Sequence, residues 1–220
     1  MAIPVGSDIQ GILNSKPGGT TFCFAKGVHR LKAPLTPKAN QTLAAQPGAV
    51  LDGSLVLRGW SGAPGRWVHS GGLPAAYTMN GNCEDQAASD CTKAEQVFRN
   101  GTKLTRVNSV SALRPKTFFT YYAANKIYVY DDPRTVTMEL SKTRRAIQAT
   151  AGGVTLLNLT IRKFASESGR RASRRVEGPP SRRWHRGRPP QGSAGSGPPN
   201  ACRESPSGVA TPTFAPVRRR

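Results

Sequence analysis

The chain has 220 residues, with 32 Lys and Arg against 12 Asp and Glu, and a formal charge of +20 at pH 7. It has no run of eighteen apolar residues, so no helical membrane span is expected. Half of the excess charge lies in residues 169–220 and the rest is spread thinly from Lys16 to Lys163, with no helix-turn-helix, zinc-finger spacing or aromatic-basic RNP pattern, so specific nucleic-acid recognition is not expected either.

The N-terminal stretch MAIPVGSDIQG lacks the charged start and continuous apolar segment of a signal peptide. Asp8–Leu13 carries apolar residues at Ile9, Ile12 and Leu13, the spacing of a two-turn helix, and Pro17-Gly18-Gly19 ends it. In TTFCFAKGVHRL, Phe22 and Phe24 share a face and Lys26-Gly27 turns the chain. Cys23 then falls outside the core-facing set or packs as a small hydrophobe. Short strands are predicted at Gln41–Ala44, Ala49–Leu51 and Ser54–Arg58, with Pro47-Gly48 as a break. Residues 61–95 read as a polar insertion anchored by Trp60 and Trp67. Cys83 and Cys91 bracket EDQAASD within it. Their spacing leaves a local disulfide or free thiols open and suits a metal site poorly, since no second ligand pair is near in sequence.

Strand signals resume at Val97-Phe98, Leu104–Val107, Thr117–Tyr122, Lys126–Tyr130, Thr135–Leu140 and Val154–Ile161. Alternation puts Tyr128 and Tyr130 on one face, where they would stack on sugar rings or pack at a corner. Asp131-Asp132 is followed by Pro133. The pair reads first as a turn, and otherwise as a cation or acid–base site, with Ca²⁺ as the ion such carboxylates would hold. Glu139 alternates with Met138 and Leu140 and is expected to face outward, as a solvated wall residue or as part of a groove. Leu157, Leu159 and Ile161 alternate with polar residues as one strand would, and Asn158-Leu159-Thr160 is a glycosylation sequon. No other cofactor motif is present.

From Gly169 onward the composition changes. Residues 169–220 hold twelve Arg, nine Pro and no Leu, Ile, Met, Tyr, Lys or Asp, whereas residues 1–168 hold ten Lys and ten Arg. Such a stretch buries too little apolar surface to offset its chain entropy and is expected to be disordered. Arginine without lysine fits a GC-rich message read out of frame. The alternatives are an undirected linker and a basic arm that binds nucleic acid or another polyanion without sequence preference; the lack of lysine argues against the arm, since phosphate accepts either cation.

Many short strands without long amphipathic helices indicate an all-β body over residues 1–168. The late segments TVTMEL and VTLLNLTI lie about one solenoid coil apart, which favours a stacked solenoid over a sandwich. GSDIQGILNSKPGGTTFCFAKGVHRL, PLTPKANQTLAAQPGAVLDGS, TFFTYYAANKIYVYDDPRTVTMELS and AIQATAGGVTLLNLTIRKFAS together resemble the opening of right-handed parallel β-helix proteins of the pectate-lyase-like class. The resemblance covers about residues 5–168. It implies an N-terminal cap helix, a first rung in AAQPGAVLDGS, and wall strands in IYVYDDPR and TVTMEL. It also implies polysaccharide as the partner, an extracellular setting if the natural start lies upstream, and lyase or hydrolase relatives. No catalytic residue of that class matches a position here. The expectation is therefore a polysaccharide-type β-helix cut short after its first coils and inactive, with self-association through the exposed last coil.

Overall fold

A computed structural model describes residues 1–74, 93–165 and 202. The Cys83 and Cys91 pair and the tail, apart from Cys202, lie outside the described residues.

The expected N-terminal helix is α1, Ile9–Asn14. The Asp8 side chain caps it by accepting from the Gly11 amide at 3.1 Å, and Ile9 and Leu13 turn into the core.

Two parallel stacks follow. In the first, β1 (Ala2–Ile3), β2 (Thr21–Phe24), β4 (Thr42–Ala45) and β15 (Thr155–Leu157) lie side by side, all parallel. In the second, β3 (Gly27–Arg30), β5 (Ala49–Asp52) and β16 (Thr160–Arg162) do the same. Registers repeat from rung to rung. Phe22, Leu43 and Leu156 form one column, and His29, Leu51 and Ile161 form another. Farther along, Leu35 bridges to Ile147 in parallel, with the Leu35 amide donating to the Ala146 carbonyl at 2.9 Å. Phe22, Leu43 and Leu51 of these columns, together with Ile3, Ile9, Leu13, Phe24, Leu31, Ala146 and Phe164, make one apolar core. No helix among the described residues is long and apolar enough to cross a membrane.

The corner between the stacks corrects the expected strand over Val154–Ile161. Asn158 adopts φ 57° and breaks the run into β15 and β16. Asparagine tolerates this left-handed conformation better than other non-glycine residues, and one such residue resets the alternation. Leu157 therefore joins the outward column of Cys23 and Ala44, whereas Ile161 joins the inward one.

The second rung is interrupted. After β5, strand β6 (Ser54–Leu57) leaves the stack, and β14 (Met138–Ser141) returns antiparallel beside it, with Ser54 opposite Ser141. The excursion is larger than the insertion expected at residues 61–95. It carries β7 (Ser61–Ala63), β8 (Arg66–Ser70), β9 (Val97–Arg99), β10 (Thr102–Lys103), β11 (Thr105–Arg106), β12 (Thr117–Tyr121) and β13 (Lys126–Val129). Apart from β11 with β12, these strands pair antiparallel, and β9 pairs β14. A second core gathers there from Leu57, Trp67, Val97, Phe118, Ile127 and Met138, among others. The reading of IYVYDDPR and TVTMEL as successive walls of a parallel stack is thereby overturned. Lys126–Val129 and Met138–Ser141 belong to two different sheets with antiparallel partners. Alternation alone does not reveal strand direction, because both kinds of ladder share period two.

Candidate functional site

Three neighbouring strands of the second stack present Arg30, Asp52 and Arg162 at matched positions. Strands sit about 4.8 Å apart, so an acid between two bases in register meets both. Arg30 Nη1 lies 3.3 Å from Asp52 Oδ1, and Arg162 Nε donates to Asp52 Oδ2 at 3.0 Å. The Ser54 amide and hydroxyl donate to Asp52 Oδ1 at 2.9 and 2.5 Å. Arg30 also donates to Ser54 Oγ at 2.6 Å, and its Nη2 reaches Glu139 Oε1 at 2.7 Å. Lys163 donates to the other Glu139 oxygen and lies 5.0 Å from the centre of the Phe98 ring.

Glu139 is thus not the outward residue that its alternation predicts. It is 3% exposed, because both faces of β14 are covered and Arg30 and Lys163 lie over this one. Burial pushes the Asp52 carboxyl up. The Ser54 hydroxyl and amide, then Arg162 and Arg30, outweigh this and hold it below its ordinary 3.8. Burial likewise opposes ionisation of Glu139, and Lys163 and Arg30 overcome it and keep it below 4.5. Both acids are held as carboxylates. The cluster fastens three rungs and the returning strand together, and neither of its two carboxyls is protonated at neutral pH.

A pocket of about 390 Å³ opens where the neck of the excursion splays, beyond the last β6–β14 pair of Leu57 with Met138. Its lining includes Arg58, Gly59, Trp60, Arg134, Val136 and Thr137. Trp60 leans against His69, with ring centres 5.4 Å apart. Burial pushes His69 down, against a hydrogen bond to the Arg58 backbone that raises it, so the imidazole is neutral. Arg134 is fixed from two sides. Its guanidinium lies 4.3 Å above the Trp67 ring, and its Nε and Nη2 grip Asp132 at 3.0 and 2.7 Å. The Arg134 side-chain and backbone hydrogen bonds hold Asp132 down to about 2, so the exposed pair is fully ionised.

The other residues singled out in the sequence are scattered. Asp131 accepts from the Lys116 amide at 2.7 Å while Asp132 serves Arg134, so the two carboxylates have separate partners. Among the described residues no group of three or more His, Cys, Asp or Glu is arranged to hold a metal. Tyr128 is half-buried, 6.1 Å from the Phe119 ring across the β12–β13 pair, and Tyr130 follows β13 as its face alternates. Asn158 is exposed at its corner.

Cys23 and Cys202 form a disulfide, with Cα atoms 5.5 Å apart. The buried Phe22 and Phe24 on either side turn Cys23 to the outer face, and its neighbours in register, Ala2 and Ala44, are small enough to leave room. Sequence reasoning gave Cys202 no role, because 179 residues separate the partners and no local spacing signals the bridge. It also missed Arg30, Asp52, Arg58 and Arg134. The one available signal was the place of Arg30 and Asp52, each at the end of a short apolar run that becomes a strand of the second stack.

No family model matches the chain, and no sequence among the curated proteins does. Two solved structures are similar. The complex structure of XylC with xylose has a TM-score of 0.60 at 15% identity, over 76% of this chain and 36% of that one. A glycoside hydrolase has a TM-score of 0.45 at 10% identity, over 66% of this chain and 43% of that one. The chain thus spans less than half the length of either. At such identity the first likeness shows a shared fold alone, an all-β arrangement that includes parallel sheets.

Proposed function

We propose that the chain forms the first coils of a right-handed parallel β-helix of the pectate-lyase-like class and that it binds polysaccharide rather than cleaving it. The proposed binding site is the pocket at the neck of the excursion, and the ligand is a glycan bearing carboxylate or sulfate. The observation that carries this reading is the pairing of Trp60, a platform for a sugar face, with two cations in one pocket, Arg58 exposed and Arg134 pre-oriented by Asp132 and Trp67. A held guanidinium loses little freedom when it meets a planar anion. The likeness in fold to a chain solved with xylose supports a sugar as the ligand.

Binding is favoured over turnover because glycoside hydrolysis uses one carboxyl kept protonated near neutral pH beside one kept ionised. The two buried carboxylates of the cluster, Asp52 and Glu139, are both depressed and both bound by cations. Tyr128 and Tyr130 remain proposed contacts for a longer glycan, and Asn158 a proposed glycosylation site.

The test is calorimetric titration with polygalacturonate, sulfated and neutral xylan oligosaccharides. Binding of the anionic set, lost in Trp60→Ala and weakened at least tenfold in Arg134→Ala, is expected. Equal affinity of the Trp60→Ala protein overturns the reading, as does release of reducing ends by the unmodified chain.

A further inference from the structure

His69 stands behind the pocket, outside its lining. The β7–β8 hairpin sets Ser61 opposite Val68, so one step farther Trp60 faces His69, and their ring centres lie 5.4 Å apart. The same imidazole bonds the Arg58 backbone. One side chain thus holds both ends of the segment 58–60, a wall of the pocket with no regular structure of its own. The Trp60 indole N–H has no partner, so packing alone orients that ring.

We propose that His69 is the positioning residue of the glycan pocket: its neutral ring keeps the Arg58–Trp60 wall closed, and protonation releases the wall and the glycan with it. The ligand's identity rests on the reading of that pocket as an anionic-glycan site. His69 Nδ1 is buried without a partner, which leaves Nε2 as the donor to Arg58. A proton added at Nδ1 finds no acceptor, and a buried unpaired charge is costly, so the ring must turn to water and give up Trp60. The surroundings do not compensate. Ile127 of β13 lies opposite His69, and Lys126 and Tyr128 alternate to the other face. Beyond Ile127, Thr120 bonds the Glu95–Arg106 ion pair. Asp132 is held by Arg134 and acted on by Arg99 as well. Each of these acids is thus matched by a cation, and Arg58 and Arg134 repel an imidazolium. Burial holds His69 below its ordinary 6.5, against the Arg58 bond that raises it. A ring swung into water regains the ordinary value. Protons therefore favour the open wall progressively as pH falls from about 6.5 through the lower, closed-wall value. Added positive charge ordinarily tightens a cationic pocket on an anion. Here acid loosens it.

Calorimetric titration of the full chain with a sulfated xylan oligosaccharide, at pH 7.5 and at pH 5, tests this. The sulfate charge is constant over that range, and Asp132, held down to about 2, stays ionised throughout. Affinity should be at least threefold lower at pH 5, where one linked proton allows at most about tenfold per pH unit. Binding at pH 5.5 should release protons, read from the difference between two buffers. His69→Gln keeps a donor for Arg58 but cannot titrate. It should bring the ratio of the two affinities close to one and abolish the proton release. In the ligand-free chain, tryptophan fluorescence should change with a midpoint below 6.5, and Trp60→Phe or His69→Gln should each remove that change. Affinity that is constant or rises on acidification overturns the inference, as does a pH response that survives His69→Gln. So does the lack of a fluorescence transition. If the unmodified chain binds no glycan at pH 7.5, the pocket reading fails, and the fluorescence of the free chain still decides whether His69 holds Trp60.

Discussion

The guanidinium of Arg30 reaches the carboxylate of Glu139 at 2.7 Å, although 109 residues separate them in the chain. The contact joins the first rung to the strand that returns from the excursion, and Lys163 of the last rung holds the same acid from the other side. Glu139→Leu therefore strands a nearly buried ammonium. Removing one partner of a buried ion pair costs about 3–5 kcal/mol. Urea unfolding should show that loss, and Lys163→Met in the same chain should recover most of it, because the uncompensated charge is then gone.

Acid should loosen the same cluster. Asp52 and Glu139 are held below their ordinary values in the folded chain, so folding favours their ionised forms. The stability they contribute is fully present above the unfolded pKa values, near 4, and is lost as pH falls through the lower folded ones. Thermal melts should be flat in this respect from pH 7 to 5 and then fall. In Asp52→Asn the midpoint should be lower at pH 7 and its decline below pH 5 shallower.

Gly53 lies against the Phe164 ring, and a Cβ there would stand 2.5 Å from Phe164 Cδ1. Gly53→Ala should cost about 1–3 kcal/mol, the usual scale of overpacking. Adding Phe164→Leu should cost less than the sum of the two single changes, since the smaller side chain relieves the clash. Chemical denaturation of the four chains measures that coupling.

The Cys23–Cys202 bridge should be recovered by non-reducing peptide mapping as one cross-linked peptide pair. Reduction, or Cys23→Ser, should lower stability by about 2–5 kcal/mol, the range for losing a native disulfide. A Cys83–Cys91 cross-link found in its place would contradict the pairing seen here.

The parts of the fold that depend on neighbours in sequence were legible. The N-terminal helix follows from Asp8 and the spacing of Ile9 and Leu13, and β4, β5 and β6 fall within a residue of their predicted spans. What depends on partners far along the chain was not. Alternation turned Glu139 to solvent because it cannot register that Arg30 and Lys163, far away in the chain, would cover that face of β14. It also joined Leu157 to Ile161, since a single left-handed residue at Asn158 leaves the pattern of polar and apolar letters untouched. The pocket was invisible for the same reason. Arg58 and Arg134 are brought together only by the antiparallel return of β14 along β6.

Ser54 and Ser141 face each other across the neck of the excursion, so everything between them enters and leaves the coil at a single doorway. To the parallel stack, these residues amount to one hairpin connection, whatever their number. The second core inside the excursion is assembled around its own residues, Trp67, Phe118 and Ile127 among them. A scaffold built this way can exchange one cassette for another at the doorway, provided the returning strand keeps a carboxylate at position 139 for Arg30 and Lys163. Variation inside the excursion is then largely separated from the contacts that keep the rungs in register.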